Sequence, residues 1–241
     1  MFQLLAAIFV GSILLLACAL AFHVGRVLFG FRWAARLWAK RRRGMRLFYA
    51  GWFGLYACFI LFATGPSESD AYPPAQASPY KLPWQGGVRR LVAQGNRSFV
   101  SHRGSHLYAY DFWMPVGTVV LAARAGTVTR VEVSHDGLGA ASNYIKVAHA
   151  DGTSAMYAHV RKDGAIVKQG ESVRQGQPLA YSGMVGQTLY PHLHFVVVGP
   201  NDEPIPVTFS DVRNGIPRAG HAYVSGNSSE VAFRERPAFH H

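Results

Sequence analysis

His192-Leu193-His194 places two imidazoles two residues apart, and Phe195-Val196-Val197-Val198 follows directly. Strand side chains repeat every two residues, so in an extended segment both rings fall on one face. The β-branched run behind them favours that extended form. Two rings so placed can bind one metal ion, or divide the work between a ligand and a proton carrier. Further groups of the same chemistry lie upstream. His159 closes Tyr157-Ala158-His159 at the end of an apolar run, which puts it at a strand edge or in a loop. Asp111 stands between Tyr110 and Phe112. A lone carboxylate in that setting is either held by backbone donors or bound to a metal. His102 and His106 precede it, while His135, His149 and His221 occupy turn-like or strand-end settings and read as ordinary surface or half-buried residues.

The elements that must position these groups are strands. From about Gly86 onward, short apolar runs at 118–122, 126–133, 144–148 and 155–159 are separated by Gly, Asp and Asn, the texture of an all-β domain. Asp136-Gly137 and Asp151-Gly152 are turn signals, the second between two runs as in a hairpin. Val167-Lys168-Gln169-Gly170 recurs as Val173-Arg174-Gln175-Gly176. Two copies are too few for a solenoid and suggest successive tight corners of a compact antiparallel sandwich or barrel. That domain is expected over 86–212, with an irregular tail over 213–241.

The part before it has another character. Residues 1–67 contain no Asp or Glu, and their Lys and Arg all lie between Arg26 and Arg46. Apolar runs on either side of that basic stretch are of bilayer-spanning length. The expectation is a transmembrane helix over 1–24, a basic cytoplasmic loop over 25–46 and a second transmembrane helix over 47–64. By the positive-inside rule both termini and the β domain then lie on the extracytoplasmic, periplasmic side of the cytoplasmic membrane. Residues 65–85, with Pro66, Pro73, Pro74, Pro79 and Pro83, read as a semi-rigid linker. The formal charge of +11 mostly reflects the one basic loop, so nucleic-acid binding is excluded as a reading. Cys18 and Cys58 both sit in apolar runs and form no disulfide framework in the β domain.

The blocks of the β domain resemble a known family. Ser101-His102-x-Gly104, Tyr108-Ala109-x-Asp111-Phe112-x-Met114-Pro115-x-Gly117-Thr118 and Ala122-Ala123-Arg124-x-Gly126 come first. Asn143-Tyr144, His149-x-Asp151-Gly152-Thr153 and Tyr157-Ala158-His159 follow. Val173-x-x-Gly176-Gln177 and Pro191-His192-Leu193-His194-Phe195 close the series. In this order they resemble the lysostaphin-like, LytM-type zinc endopeptidases that cut peptidoglycan. The resemblance implies a zinc ion (Zn2+) held by His102, Asp111 and His194, with His159 and His192 as catalytic histidines that do not bind it. Peptidoglycan stem or cross-bridge peptides would be the substrate. The family's usual first ligand stands four residues before the Asp, which here is Leu107. His106 is out of phase unless a bulge intervenes, and His102 needs a loop between the ligands; His102 is preferred, on its resemblance to a longer-spaced branch. Tyr190 also departs from the pattern, placing a phenol where a small residue is usual. The alternative to an enzyme is an inactive family member, a wall-binding or hydrolase-activating module with a regulatory protein partner. A carrier domain resembling the lipoyl-like fold is a third class, and it has no need of Asp111, His159 and His194 together.

Overall fold

The computed structural model describes residues 71–98 and 100–227. Both expected transmembrane helices, the basic loop, the first part of the linker and the end of the tail lie outside the described residues. Among the described residues no helix is long and apolar enough to cross a membrane.

The described chain is all-β. The strands are β1 (Arg89–Gln94), β2 (Tyr110–Trp113), β3 (Val119–Leu121), β4 (Gly126–Glu132), β5 (Tyr144–Ala148) and β6 (Ser154–Ala158). They continue with β7 (Val160–Ala165), β8 (Ser172–Val173), β9 (Pro178–Ser182), β10 (His192–Val198) and β11 (Ala222–Val224). Eight of them form one antiparallel sheet in the order β11-β1-β2-β10-β6-β5-β4-β8, and β3-β9-β7 form a second. The expected hairpin at Asp151-Gly152 is the β5–β6 turn, closed by the His149 N–H donating to the Thr153 carbonyl at 2.8 Å.

Alternation along the two central strands separates core from chemistry. Tyr110 and Phe112 of β2, and Leu193, Phe195 and Val197 of β10, belong to the hydrophobic core. Trp84 meets Phe112 edge-on at 5.0 Å and Tyr157 meets Phe195 at 5.2 Å. Asp111, His192 and His194 occupy the opposite face by the period of two. Register then aligns them. Asp111 pairs with both Gln94 on β1 and His194 on β10, and His194 also pairs with Ala158 on β6. A one-residue slip of β10 would bury both imidazoles in the core and expose Leu193 and Phe195 on the polar face.

The repeated Val-x-Gln-Gly-type segments are two copies of one corner. Gly170 and Gly176 have φ of 87° and 81°, a region that glycine enters without steric cost. In each copy a side chain closes the turn: Glu171 accepts from the Lys168 N–H at 3.0 Å, and Gln177 from the Arg174 N–H at 3.1 Å.

Two boundaries differ from the sequence expectation. Residues 71–85 do not stand apart as a spacer, since Tyr80, Leu82 and Trp84 are buried in the core. The segment after 212 likewise returns to the sheet, where β11 pairs with β1. Asn227 locks the two segments together, donating to the carbonyls of Leu82 and Ala122, both at 3.1 Å. Proline content could not show that Tyr80, Leu82 and Trp84, between and after the prolines, are core residues.

Gly183 is a point of close approach. A Cβ there would lie 2.5 Å from the Arg161 nitrogen and 2.8 Å from the Val160 carbonyl carbon, while Gly183 itself bridges to His192. Gly183→Ala is expected to lower stability by about 1–3 kcal/mol through overpacking. A shift of the urea midpoint would register it; an unchanged midpoint would show that this corner yields freely.

Candidate active site

Asp111 is the centre on which the other groups converge. Its Oδ1 lies 2.8 Å from His194 Nδ1, 3.1 Å from His102 Nε2 and 3.5 Å from His192 Nε2. Its Oδ2 accepts from Gln94 Nε2 at 2.8 Å and from the Tyr190 hydroxyl at 3.4 Å. One carboxylate oxygen is thus held by neutral donors, and the other is turned toward imidazole nitrogens. Of the two settings the sequence left open for Asp111, its surroundings are side chains of metal-binding type.

The rings are oriented from behind. His102 Nδ1 faces the Gly95 carbonyl at 2.7 Å, His192 Nδ1 the Tyr190 carbonyl at 2.9 Å, and His159 Nδ1 the Val185 carbonyl at 2.8 Å. A carbonyl only accepts, so Nδ1 carries the proton in each ring and Nε2 of the neutral ring is a bare lone pair. His102 Nε2 is buried without a well-aligned hydrogen bond. Two lone pairs opposed at 3.1 Å repel unless a proton or a cation lies between them. Backbone-anchored imidazoles with the far nitrogen free are the usual setting of metal-bound histidines.

Two sets of three residues have their ligand atoms close enough to share one ion: His102, Asp111 and His194, and His159, His192 and His194. The first contains the carboxylate, and a buried dication is stabilised more by an anion than by a third neutral ring. Two nitrogens and one oxygen with a position left for water are a fitting donor set for catalytic zinc. His102 therefore comes to Asp111, and His106 does not. The nine-residue separation is taken up by a 3-10 turn at Gly104–His106, which returns the chain to the start of β2.

His159 stands at the end of β6 with φ of 63°, a left-handed conformation uncommon outside glycine, Asn and Asp and concentrated at functional sites. Its N–H donates to the Asn143 carbonyl at 2.9 Å, and Ser142 Oγ lies 3.1 Å from its Nδ1. Its ring is 4.6 Å from that of His192. Among the other histidines, His221 is exposed and His135 half-buried, whereas His149 is buried and packs edge-on against Tyr80 at 5.5 Å. The ordinary reading of His149 is corrected in that respect: it is part of the interior.

Charge follows this geometry. Burial pushes the Asp111 carboxyl up, but the adjacent His102 and His194 outweigh it and hold it well below the usual carboxylate range. Burial, followed by the neighbouring His192, depresses His159 to about 4. His192 is also lowered, by burial against the opposing pull of Asp111. His159 and His192 are therefore neutral near neutral pH.

Residues 105–206 match Peptidase family M23. The match contains Asp111, His159, His192 and His194 and begins after His102, whose place rests on the geometry. The chain is 28% identical over 138 residues to peptidoglycan DD-endopeptidase ShyC of Vibrio cholerae, covering 56% of this chain and 29% of the relative. It is 32% identical over 142 residues to an uncharacterized metalloprotease of Haemophilus influenzae, covering 58% and 29%. It is 33% identical over 113 residues to lysostaphin of Staphylococcus simulans, covering 46% and 22%. The chain thus spans less than a third of the length of each of these relatives. Residues 105–206 are thus similar to Peptidase family M23, with lysostaphin among the similar proteins.

Sequence reasoning missed Gln94 and Ser142. A lone amide in a strand and a serine in a loop carry no signal of their own; only the β1–β2 register and the His159 corner reveal them. Tyr190, marked in the sequence only as a departure from the family pattern, reaches Asp111 with its hydroxyl.

The neutral, buried His159 has a consequence for the metal-free protein. Its folded value of about 4 lies below the unfolded value of about 6.5. Between the two the unfolded chain binds the extra proton, so stability rises with pH. The contribution is present above about pH 6.5 and is lost as pH falls through about 4. Its size is on the order of 3 kcal/mol. Urea midpoints of metal-free protein at about pH 4.5 and about pH 7 should differ less in His159→Asn than in the parent. Equal differences would place the acid sensitivity elsewhere.

Proposed function

We propose that this chain is a zinc-dependent endopeptidase that hydrolyses peptide bonds in cell-wall peptidoglycan, held at the cytoplasmic membrane by residues 1–64 with its β domain on the extracytoplasmic side. The observation that carries the reading is the convergence on Asp111 Oδ1 of imidazole nitrogens, with His102 Nε2 fully buried 3.1 Å from it. Relatives named as peptidoglycan endopeptidases support the substrate class.

His102, Asp111 and His194 would hold the zinc. When bound, it supplies Lewis-acid polarisation of a carbonyl and a water made acidic enough to deprotonate near neutral pH. The chain's own residues do the rest. His159 and His192 present Nε2 toward the centre because their Nδ1 protons are given to backbone carbonyls. Either can accept the proton of the attacking water at Nε2 and, once protonated there, return that proton to the departing amine. Both are neutral near pH 7, the form that accepts a proton. Gln94 and Tyr190 hold Asp111 Oδ2, which keeps Oδ1 directed at the ligand position. A metal-free wall-binding module has no use for a buried carboxylate with one oxygen turned to three imidazoles.

The test is digestion of purified peptidoglycan by the purified protein, with product masses assigned and zinc content measured. New peptide termini with about one zinc per chain support the enzyme; intact peptidoglycan from a stable, metal-free protein would sink it. Reporter fusions at residue 70 test the placement: activity restricted to export-dependent reporters is expected, and a cytoplasmic signal would exclude a wall substrate.

A further inference from the structure

His106 is left over from the site just described. It lies in the 3-10 turn between His102 and Asp111, is half-buried, and belongs to neither three-residue ligand set. Its Nδ1 is 3.0 Å from His194 Nε2, with the two rings 4.9 Å apart and inclined by 74°. His194 Nδ1 is the atom that faces Asp111, at 2.8 Å. The two nitrogens of His194 are thus both engaged, one on the metal side and one by His106.

We propose that His106 is a positioning residue for the metal, accepting the Nε2 proton of His194 and so fixing that ring as a ligand through Nδ1. This inference rests on the zinc reading above and deepens it. A neutral imidazole has one proton. For His194 to offer a lone pair at Nδ1, the proton must stand on Nε2. His102, His159 and His192 each have a backbone carbonyl behind the ring to settle the same question. His194 sits mid-strand between β2 and β6, and the group found behind its ring is His106 Nδ1. The acceptor is a side chain here because the longer path from His102 to Asp111 carries the turn across that position. The Gly104 φ of 53° and the His106 N–H donating to the Arg103 carbonyl at 3.0 Å shape the turn. The same spacing that moved the first ligand to His102 therefore supplies the outer partner of the last one.

Zinc affinity of the full-length protein, measured by competition with a chromophoric chelator, tests this without any substrate. His106→Leu removes the acceptor and keeps the bulk; a loss of about 10–100-fold is expected, the range for outer partners of ligating histidines. His106→Asn restores an acceptor oxygen and should recover most of that loss. The d–d spectrum of the cobalt(II)-substituted protein should change in His106→Leu and return toward the parent in His106→Asn. Unchanged affinity in His106→Leu, or an equal loss in His106→Asn, overturns the proposal. A loss in His106→Leu as deep as in His194→Ala also overturns it, by making His106 a ligand. Failure of the parent protein to bind zinc overturns the metal reading itself, and this inference with it, so the two failures are told apart.

Discussion

Asp111→Ala is expected to weaken zinc binding by about 10³-fold and to abolish hydrolysis at ordinary zinc concentrations. Protein zinc sites are worth on the order of 10–16 kcal/mol, and one ligand of three carries roughly a third of that, which corresponds to about three powers of ten. Asp111 is also the negative charge of the centre, so its removal leaves a dication among neutral rings. The sheet should survive: the Asp111 side chain lies opposite the core face, and the neighbours that hold β2 in place, Tyr110 and Phe112, are core residues. Chelator competition on the folded variant gives the affinity. Retention of tight binding in Asp111→Ala would move the metal to His159, His192 and His194, the other set the geometry offers.

The second large effect falls on His159. His159→Asn should keep the zinc and lower kcat by about 10²–10⁴-fold, the usual contribution of a general acid or base. Asn is the replacement of choice because position 159 has φ of 63°, which Asn tolerates better than Ala. Adding His192→Ala should cost less than the product of the two single losses, since groups acting on one transition state are not additive. The pH–rate profile of the parent should be bell-shaped, its limbs belonging to the coupled set of histidines and metal-activated water. Full activity of His159→Asn would remove it from the chemistry, and loss of zinc would make it a ligand.

What was legible in the sequence was periodic. The β10 alternation puts Leu193 and Phe195 in the core and His192 and His194 opposite, as a period of two requires. The runs at 126–133 and 144–148 became β4 and β5 almost residue for residue. The site was legible where its groups lie on strands or at strand ends, as with Asp111, His159 and His194. What lay hidden depends on pairing across the chain. Gln94 reaches Asp111 only because β1 and β2 pair with an irregularity between Val92 and Gln94. Tyr80, Leu82 and Trp84 lie among prolines and small polar residues, and composition over that window outweighs three aromatic and aliphatic positions. His106 and His102 could not be separated by counting residues, because a turn of one winding decides which ring faces the carboxylate.

The order of the sheet also governs when such a site can come into being. Asp111 meets His194 across 83 positions of chain, and the strand carrying Asp111 is itself flanked by β1, whose other neighbour is β11 near the end of the described chain. Contacts this distant form late and slowly, because loop closure must be completed before they contribute. Until β10 has been delivered a nascent chain lacks His192 and His194, and neither three-residue ligand group can form. On the proposed function, immature protein would be proteolytically silent, and uptake of the metal would report that the central strands have closed. Stopped-flow refolding in the presence of a zinc indicator should show uptake only in the slowest phase.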